Sequence, residues 1–264
     1  MIVGFEQNAS PDVVGCKGHN LSRMWQAGLP VPRGFCVSWD AIESLDTTDL
    51  DCALARLGAT AFAVRSSAVQ EDALSASFAG ILLSRLNVTT AEGVRSVLTE
   101  IQKSALAPAA ENYSQRRHVE SSLRVAATVQ TFIPADVSGV LFMRDPSTGA
   151  GNIVVEACWG LGSGVVDGIV RPDRWSISGL GEILSSSIAD KDVAVVQQGG
   201  GGTKEISVDP ALRRRPCVKP DSLRELSVLA RSCEKLFNAP QDIEWAIAAN
   251  HIWLLQSRPI TSQV

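Results

Sequence analysis

Asp242, Glu244, Gln256 and Arg258 stand in two apolar, β-rich runs, 241–247 and 252–259, on either side of Ala249-Asn250-His251. This pattern predicts a β-hairpin with a three-residue loop. Side chains alternate faces along a strand, and directly opposed residues share a face. A three-residue loop sets Glu244 opposite Gln256 and Asp242 opposite Arg258. A carboxylate, an amide oxygen and a guanidinium then project from one surface, a set that suits a hard divalent cation and the phosphates it carries. The same residues equally describe a half-exposed hairpin with an ordinary polar wet face.

Four more segments carry chemistry-bearing residues. Gly15-Cys16-Lys17-Gly18-His19-Asn20 places a lysine in a glycine-bracketed turn before a helix, where a cation and backbone N–H groups can meet phosphate. Val64-Arg65-Ser66-Ser67 ends a short strand and precedes Glu71-Asp72 and Ala76-Ser77-Phe78-Ala79-Gly80, which fits anion clamping or a plain surface arginine beside a small-residue loop. Thr128-Val129-Gln130-Thr131-Phe132-Ile133-Pro134 is an apolar strand with one interior polar side chain. As a strand edge it can offer backbone N–H and C=O groups to an adenine ring; as a core strand it simply ends at Pro134. Glu156, in Val155-Glu156-Ala157-Cys158-Trp159-Gly160-Leu161-Gly162, is either a carboxylate presented to a nucleotide or cation, or a solvent-capped strand end.

The elements that position these residues are mixed. Helices are expected over 18–27 (stopped by Gly28), over 92–106, and from a capping box at Ser222-Leu223-Arg224-Glu225 onward, with Leu223, Leu226, Leu229, Cys233 and Leu236 on its apolar face. Strands are expected over 61–65, 125–133, 138–143 and 152–157. Strands and helices do not alternate regularly enough for a doubly wound sheet, so the class is α+β. The chain has 264 residues with 45% hydrophobic and 20% charged, enough for one large domain or two lobes around a cleft. A net charge of −4 without long like-charge blocks disfavours a nucleic-acid surface, and Arg213-Arg214-Arg215 reads as a solvated loop. No apolar run approaches the ~18 residues of a membrane span, and the N-terminus is not a signal peptide. Six scattered cysteines without a CxxC pair read as reduced thiols of a cytoplasmic protein, and His19, His118 and His251 give no metal-ligand pattern.

In order and spacing, these segments resemble one family. Gly-x-Lys-Gly-x-Asn-Leu with Ala27-Gly28-Leu29-Pro30-Val31-Pro32-Arg33-Gly34-Phe35, then Ala63-Val64-Arg65-Ser66-Ser67-Ala68, Glu71-Asp72, Ala76-Ser77-Phe78-Ala79-Gly80 and Ser138-Gly139-Val140 are similar to it. So are Gly160-Leu161-Gly162, Arg171-Pro172-Asp173, Asp242-Ile243-Glu244-Trp245 and Leu255-Gln256-Ser257-Arg258-Pro259. The family is the N-terminal ATP-binding domain of phosphoenolpyruvate synthase, pyruvate phosphate dikinase and rifampin phosphotransferase. The resemblance implies an ATP-grasp fold of two lobes, 1–124 (shortened) and 125–264, with mixed or antiparallel sheets and Mg-ATP held in a cleft between them. It implies that Lys17, Arg65 and Arg258 serve the phosphates, that Gly80 belongs to the phosphate-covering loop and Ser84, four positions on, also touches ATP, and that Gln130, with Thr131 and Ile133, lies beside adenine. Glu244 and Gln256 match the metal- and ATP-binding pair, and Glu156 joins the nucleotide-binding set.

The sequence also departs from the family. Cys16 replaces a glycine, Ser163 replaces the glutamate of Gly-Leu-Gly-Glu, Ile81-Leu82-Leu83 replace a glutamine-rich continuation, and the segment between Asp46 and Thr60 is short. No histidine sits in a Gly-rich, Ser-His phosphocarrier setting; His19 reads as a helix-start contact rather than a phosphorylation site. The chain is expected to be complete as a nucleotide domain and incomplete as a dikinase. The implied activity is therefore an ATP-dependent phosphotransferase component. It would donate phosphoryl to a histidine on a separate partner, or directly to a small molecule; the alternative is a non-catalytic ATP-binding regulatory module. The acceptor is not readable from these residues.

Overall fold

The computed structural model describes residues 1–69, 83–105, 124–146 and 148–260. The chain divides into two units: Met1–Gln26 with Pro32–Phe132 and Gly199–Gly202, and Ala27–Val31 with Ile133–Gln198 and Thr203–Val264.

The first unit is a five-stranded antiparallel sheet in the order β1-β2-β5-β3-β4, from β1 (Ile2–Gly4), β2 (Gly34–Val37), β3 (Phe62–Ala68), β4 (Ser84–Val88) and β5 (Val125–Thr131). One face turns Phe35, Val37, Phe62, Val64, Ala127 and Val129 into a core closed by α2 (Thr47–Leu57) and α3 (Ala91–Ala105). α2 is capped at both ends: the Asp46 carboxylate accepts from Thr48 N–H at 2.7 Å, and Gly58 adopts φ 64°. The other face meets α1 (Pro11–Gln26), which is broken at Gly15 (φ 72°, ψ 168°).

The second unit is a six-stranded antiparallel sheet, order β13-β12-β6-β7-β8-β9. Its strands are β6 (Val137–Phe142), β7 (Ile153–Trp159), β8 (Asp173–Ile177), β9 (Ile183–Ser187), β12 (Gln241–Ala248) and β13 (His251–Pro259). A short α4 (Ser163–Val166) follows β7, and β10 (Val193–Gln197) pairs with β11 (Thr203–Ser207). α5 (Pro220–Phe237) packs on β12 and β13, burying Leu223, Leu226, Ala230 and Cys233. Its N-cap is Lys219 with Pro220 in the first turn, so the Ser222–Glu225 capping box is not used: Pro220 lacks the N–H a cap would serve and starts the helix earlier.

The position of β5 decides between the two alternatives that its sequence leaves open. The strand lies between β2 and β3, paired on both sides, and is therefore a central strand rather than an edge. β5 belongs to the first unit, which runs to Phe132. Among the described residues, no helix is long and apolar enough to cross a membrane.

Candidate functional site

In the first unit, Cys36, Thr128, Arg65 and Ser84 are directly opposed across β2, β5, β3 and β4, and thus share one face. Gln130, two residues from Thr128 on β5, lies on that same face. α1 covers it and carries Lys17. The contact is specific. A Cβ at Gly15 would collide with Ser67, and one at Gly18 would press on Cys36 Sγ. Gly15 also occupies the left-handed region that glycine tolerates best.

Breaking the helix at Gly15 separates the Val14 carbonyl from the Gly18 N–H, and the Ser67 hydroxyl fills the gap. Its Oγ donates to Val14 O at 2.8 Å and accepts from Gly18 N–H at 3.0 Å. The Gly-x-Lys-Gly turn and the Arg65-Ser66-Ser67 strand are therefore one construction, with Lys17 beside one partner of Ser67 and Arg65 two residues before it. Cys16 is accommodated: its Sγ donates to Val69 O at 3.2 Å. His19 makes the expected helix-start contact, its protonated Nδ1 donating to Ala9 O at 2.8 Å.

Gln130 is 2% exposed, and its Nε2 has no hydrogen-bond partner among the described residues. Thr131 differs from its neighbour. Alternation turns its side chain toward the opposite face, where Oγ1 is buried without a hydrogen-bond partner among the described residues, and its N–H donates to Arg33 O at 2.8 Å. Ile133 follows the last paired residue of β5 and lies in the second unit. Gly80, with Glu71-Asp72 and Ala76-Ser77-Phe78-Ala79, lies outside the described residues.

In the second unit, one row crosses the sheet: Gln256, Glu244, Val140, Glu156, Arg174 and Ser187, each opposed to the next. The adjacent row toward the strand ends begins Arg258, Asp242, Phe142. The metal-type set expected at the hairpin is thus assembled on one face, but not by the expected loop. The loop has two residues, Ala249 and Asn250, with φ 49° and 60°, the left-handed pair of a type I′ turn. His251 is already in β13, edge-on to Trp253. A bulge between Glu244 and Trp245 then restores the register, so Glu244 still meets Gln256.

Arg258 Nε donates to Asp242 Oδ2 at 2.7 Å. Burial pushes the Asp242 carboxyl above its ordinary value; Arg258 opposes this and Glu244 adds to it, so these acids share one electrostatic neighbourhood. Among the described residues, no group of three or more His, Cys, Asp and Glu is arranged to hold a metal. Glu244 instead faces the buried amide of Gln256, with the Asp242–Arg258 pair in the adjacent row.

Gly139 lets β7 approach closely, because a Cβ there would collide with Glu156 O. Ser138 Oγ donates to Gly160 O, fixing the turn after Trp159. Glu156 is not an open carboxylate: Arg174, which sequence reasoning missed, donates to its Oε1 at 2.6 Å. Arg174 directly follows the Arg171-Pro172-Asp173 motif, but only the β7–β8 register reveals its partner. Asp173 itself is fully buried, accepting from Lys191 Nζ at 2.6 Å, Ala189 N–H at 2.9 Å and Cys217 N–H at 3.0 Å. A cavity of about 620 Å³ is lined by Glu156, Ile169, Val170, Arg171, Asp190 and Arg213. Arg213 and Arg214 both hold Asp190, so the basic run is pinned as well as solvated. Ser163, at the family's glutamate position, keeps a buried Oγ without a hydrogen-bond partner among the described residues.

Residues 48–264 match the family described as pyruvate phosphate dikinase, AMP/ATP-binding domain. The chain is 34% identical to the prodigiosin synthesizing transferase PigC of Serratia marcescens, covering 98% of this chain and 32% of that protein. It is 31% identical to a probable phosphoenolpyruvate synthase of Methanocaldococcus jannaschii (97% and 26%) and 31% identical to a rifampicin phosphotransferase of Streptomyces sviceus (95% and 34%). The chain therefore spans between a quarter and about a third of the length of these relatives. A D-alanine–D-alanine ligase from Bacillus anthracis complexed with ATP aligns over 92% of this chain and 55% of its own, at 9% identity and a TM-score of 0.43, too distant to carry an inference.

Proposed function

The chain belongs to the pyruvate phosphate dikinase AMP/ATP-binding domain family, and from that premise we propose that it binds Mg-ATP through an ATP-grasp arrangement and donates phosphoryl to a histidine on a separate domain or protein. The observation that carries this reading is the coincidence of the family match with two residue sets, each gathered on one face of its unit. Arg65, Ser84 and Gln130 share the face that α1, bearing Lys17, covers. Glu244 and Gln256 are opposed, with Asp242 and Arg258 beside them.

In this reading Lys17, Arg65 and Arg258 hold phosphate oxygens, and Gln130 supplies its unpartnered amide to the adenine edge. Glu244 and Gln256 fit Mg²⁺, which when bound neutralises and aligns phosphate oxygens. Phosphoryl transfer asks the protein for positioning and charge compensation more than for covalent chemistry.

The test is turnover with a partner. Mixed with a phosphohistidine-domain protein and Mg-ATP, the chain should label the histidine and release AMP. ADP release with direct labelling of a small molecule identifies the kinase variant, and binding without turnover identifies the regulatory module. Ser163 in place of a glutamate, together with the short segment between Asp46 and Thr60, favours that last reading.

A further inference from the structure

Two carboxylates from different parts of the second unit converge on one guanidinium. Arg174 on β8 donates from Nη1 to Glu156 Oε1 on β7 at 2.6 Å, and from Nη2 to Asp145 Oδ1, in the turn after β6, at 3.1 Å. The three side chains are 36%, 21% and 19% exposed, so the cluster is well shielded yet open on one side. Glu156 stands in the same row as Glu244 and Gln256, with Val140 between. Two strand spacings separate Glu156 from Glu244, roughly 10 Å. The face therefore holds two acidic loci: one at Glu244 and Asp242, the other at Glu156 and Asp145.

Like charges held this close to one another attract a cation, and here the cation is covalently part of the chain. We propose that Arg174 is a positioning residue acting as a built-in cation: it takes the place a second divalent ion would take between Glu156 and Asp145, and so confines Mg²⁺ to the Glu244–Gln256 pair. The identity of the confined ion as Mg²⁺ rests on the nucleotide reading; the exclusion at Glu156 and Asp145 does not.

A planar guanidinium suits the role. Its two terminal nitrogens each meet one carboxylate, and it cannot be deprotonated or exchanged. A metal there would draw phosphate toward a second point on the face, so fixing the charge in place also fixes where the triphosphate can settle.

The experiment counts Mn²⁺ bound per chain, by the paramagnetic signal of free Mn²⁺, in nucleotide-free protein. Arg174→Gln should bind one more Mn²⁺ than the unmodified chain, and Arg174→Met should do the same should the glutamine variant not fold. Arg174→Lys should exclude that extra ion, and Arg174→Gln with Glu156→Gln should lose it again. A folded Arg174→Gln or Arg174→Met protein with the unmodified Mn²⁺ count overturns the proposal, as does an extra ion that survives removal of Glu156. A failure of the nucleotide reading shows separately, as absence of any Mg-ATP effect on the unmodified protein.

Discussion

Ser67→Ala isolates the joint between the lysine turn and the arginine strand. Ser67 is fully buried, and its hydroxyl satisfies both groups orphaned by the helix break at Gly15, the Val14 carbonyl and the Gly18 N–H. Alanine removes both partners at once and leaves no room for water, since Gly15 already sits against Ser67. Each unsatisfied buried group costs about 1–3 kcal/mol, so a loss of about 2–4 kcal/mol is expected after partial relaxation. For a domain of this size each kcal/mol lowers Tm by roughly 2–4 °C, giving a drop of roughly 5–15 °C. The functional effect is separate. Lys17 precedes Gly18 and Arg65 lies two residues before Ser67, so loosening the joint should weaken Mg-ATP binding by about tenfold, which corresponds to ~1.4 kcal/mol. Differential scanning calorimetry and titration calorimetry read the two effects. A variant that melts within about 2 °C of the unmodified chain would refute the structural account, and one with unchanged ATP affinity would refute the link between the joint and the ligand.

The other predictions test different parts of the structure. Gly15→Ala forces a Cβ into Ser67 and a left-handed φ of 72°, so it should destabilise more than Ser67→Ala in the same melt. Lys191→Met strands the fully buried Asp173 carboxylate and should cost about 3–5 kcal/mol, whereas Asp173→Asn with Lys191→Met removes both charges and should cost less in chemical denaturation. Burial raises the Asp242 pKa above 3.8, so the folded state holds that proton more tightly than the unfolded chain and stability from this group falls as pH rises through the raised value. The Tm of Asp242→Asn relative to the unmodified chain should therefore climb as pH rises above the ordinary carboxylate value; a flat difference removes the assigned burial effect.

Much of this was legible locally, and the failures are non-local. α3 falls where its helical spacing placed it, because that spacing reports one buried face, and β3, β6 and β7 fall where apolar β-rich runs placed them, because these strands are buried along most of their length. The closing hairpin was read correctly at Glu244 and Gln256 through two compensating differences, a shorter turn and a bulge. Neither leaves a strong signature, since Ala249-Asn250 lacks the glycine that usually marks a type I′ turn. The sequence left β5 open between edge and core strand, because edge or centre depends on β2 and β3 arriving on either side. Glu156 looked open for the same reason: its partner Arg174 is eighteen residues away and meets it only through sheet register. Ser67 stands within the Arg65-Ser66-Ser67 motif, but its use as the bridge across a broken helix needs the conformation of Gly15.

The most direct measurement is the melting temperature of the unmodified chain, Lys17→Ala and Glu244→Gln with and without Mg-ATP. A ligand bound only by the folded state stabilises it by RT ln(1 + [L]/Kd), about 2.7 kcal/mol at a hundredfold excess over Kd. The unmodified chain should shift upward with Mg-ATP, and both variants should lose the shift while keeping the unliganded melt. An unmodified chain that melts at the same temperature with and without millimolar Mg-ATP, or variants that shift as it does, would contradict the assignment of these residues to a magnesium-bound triphosphate.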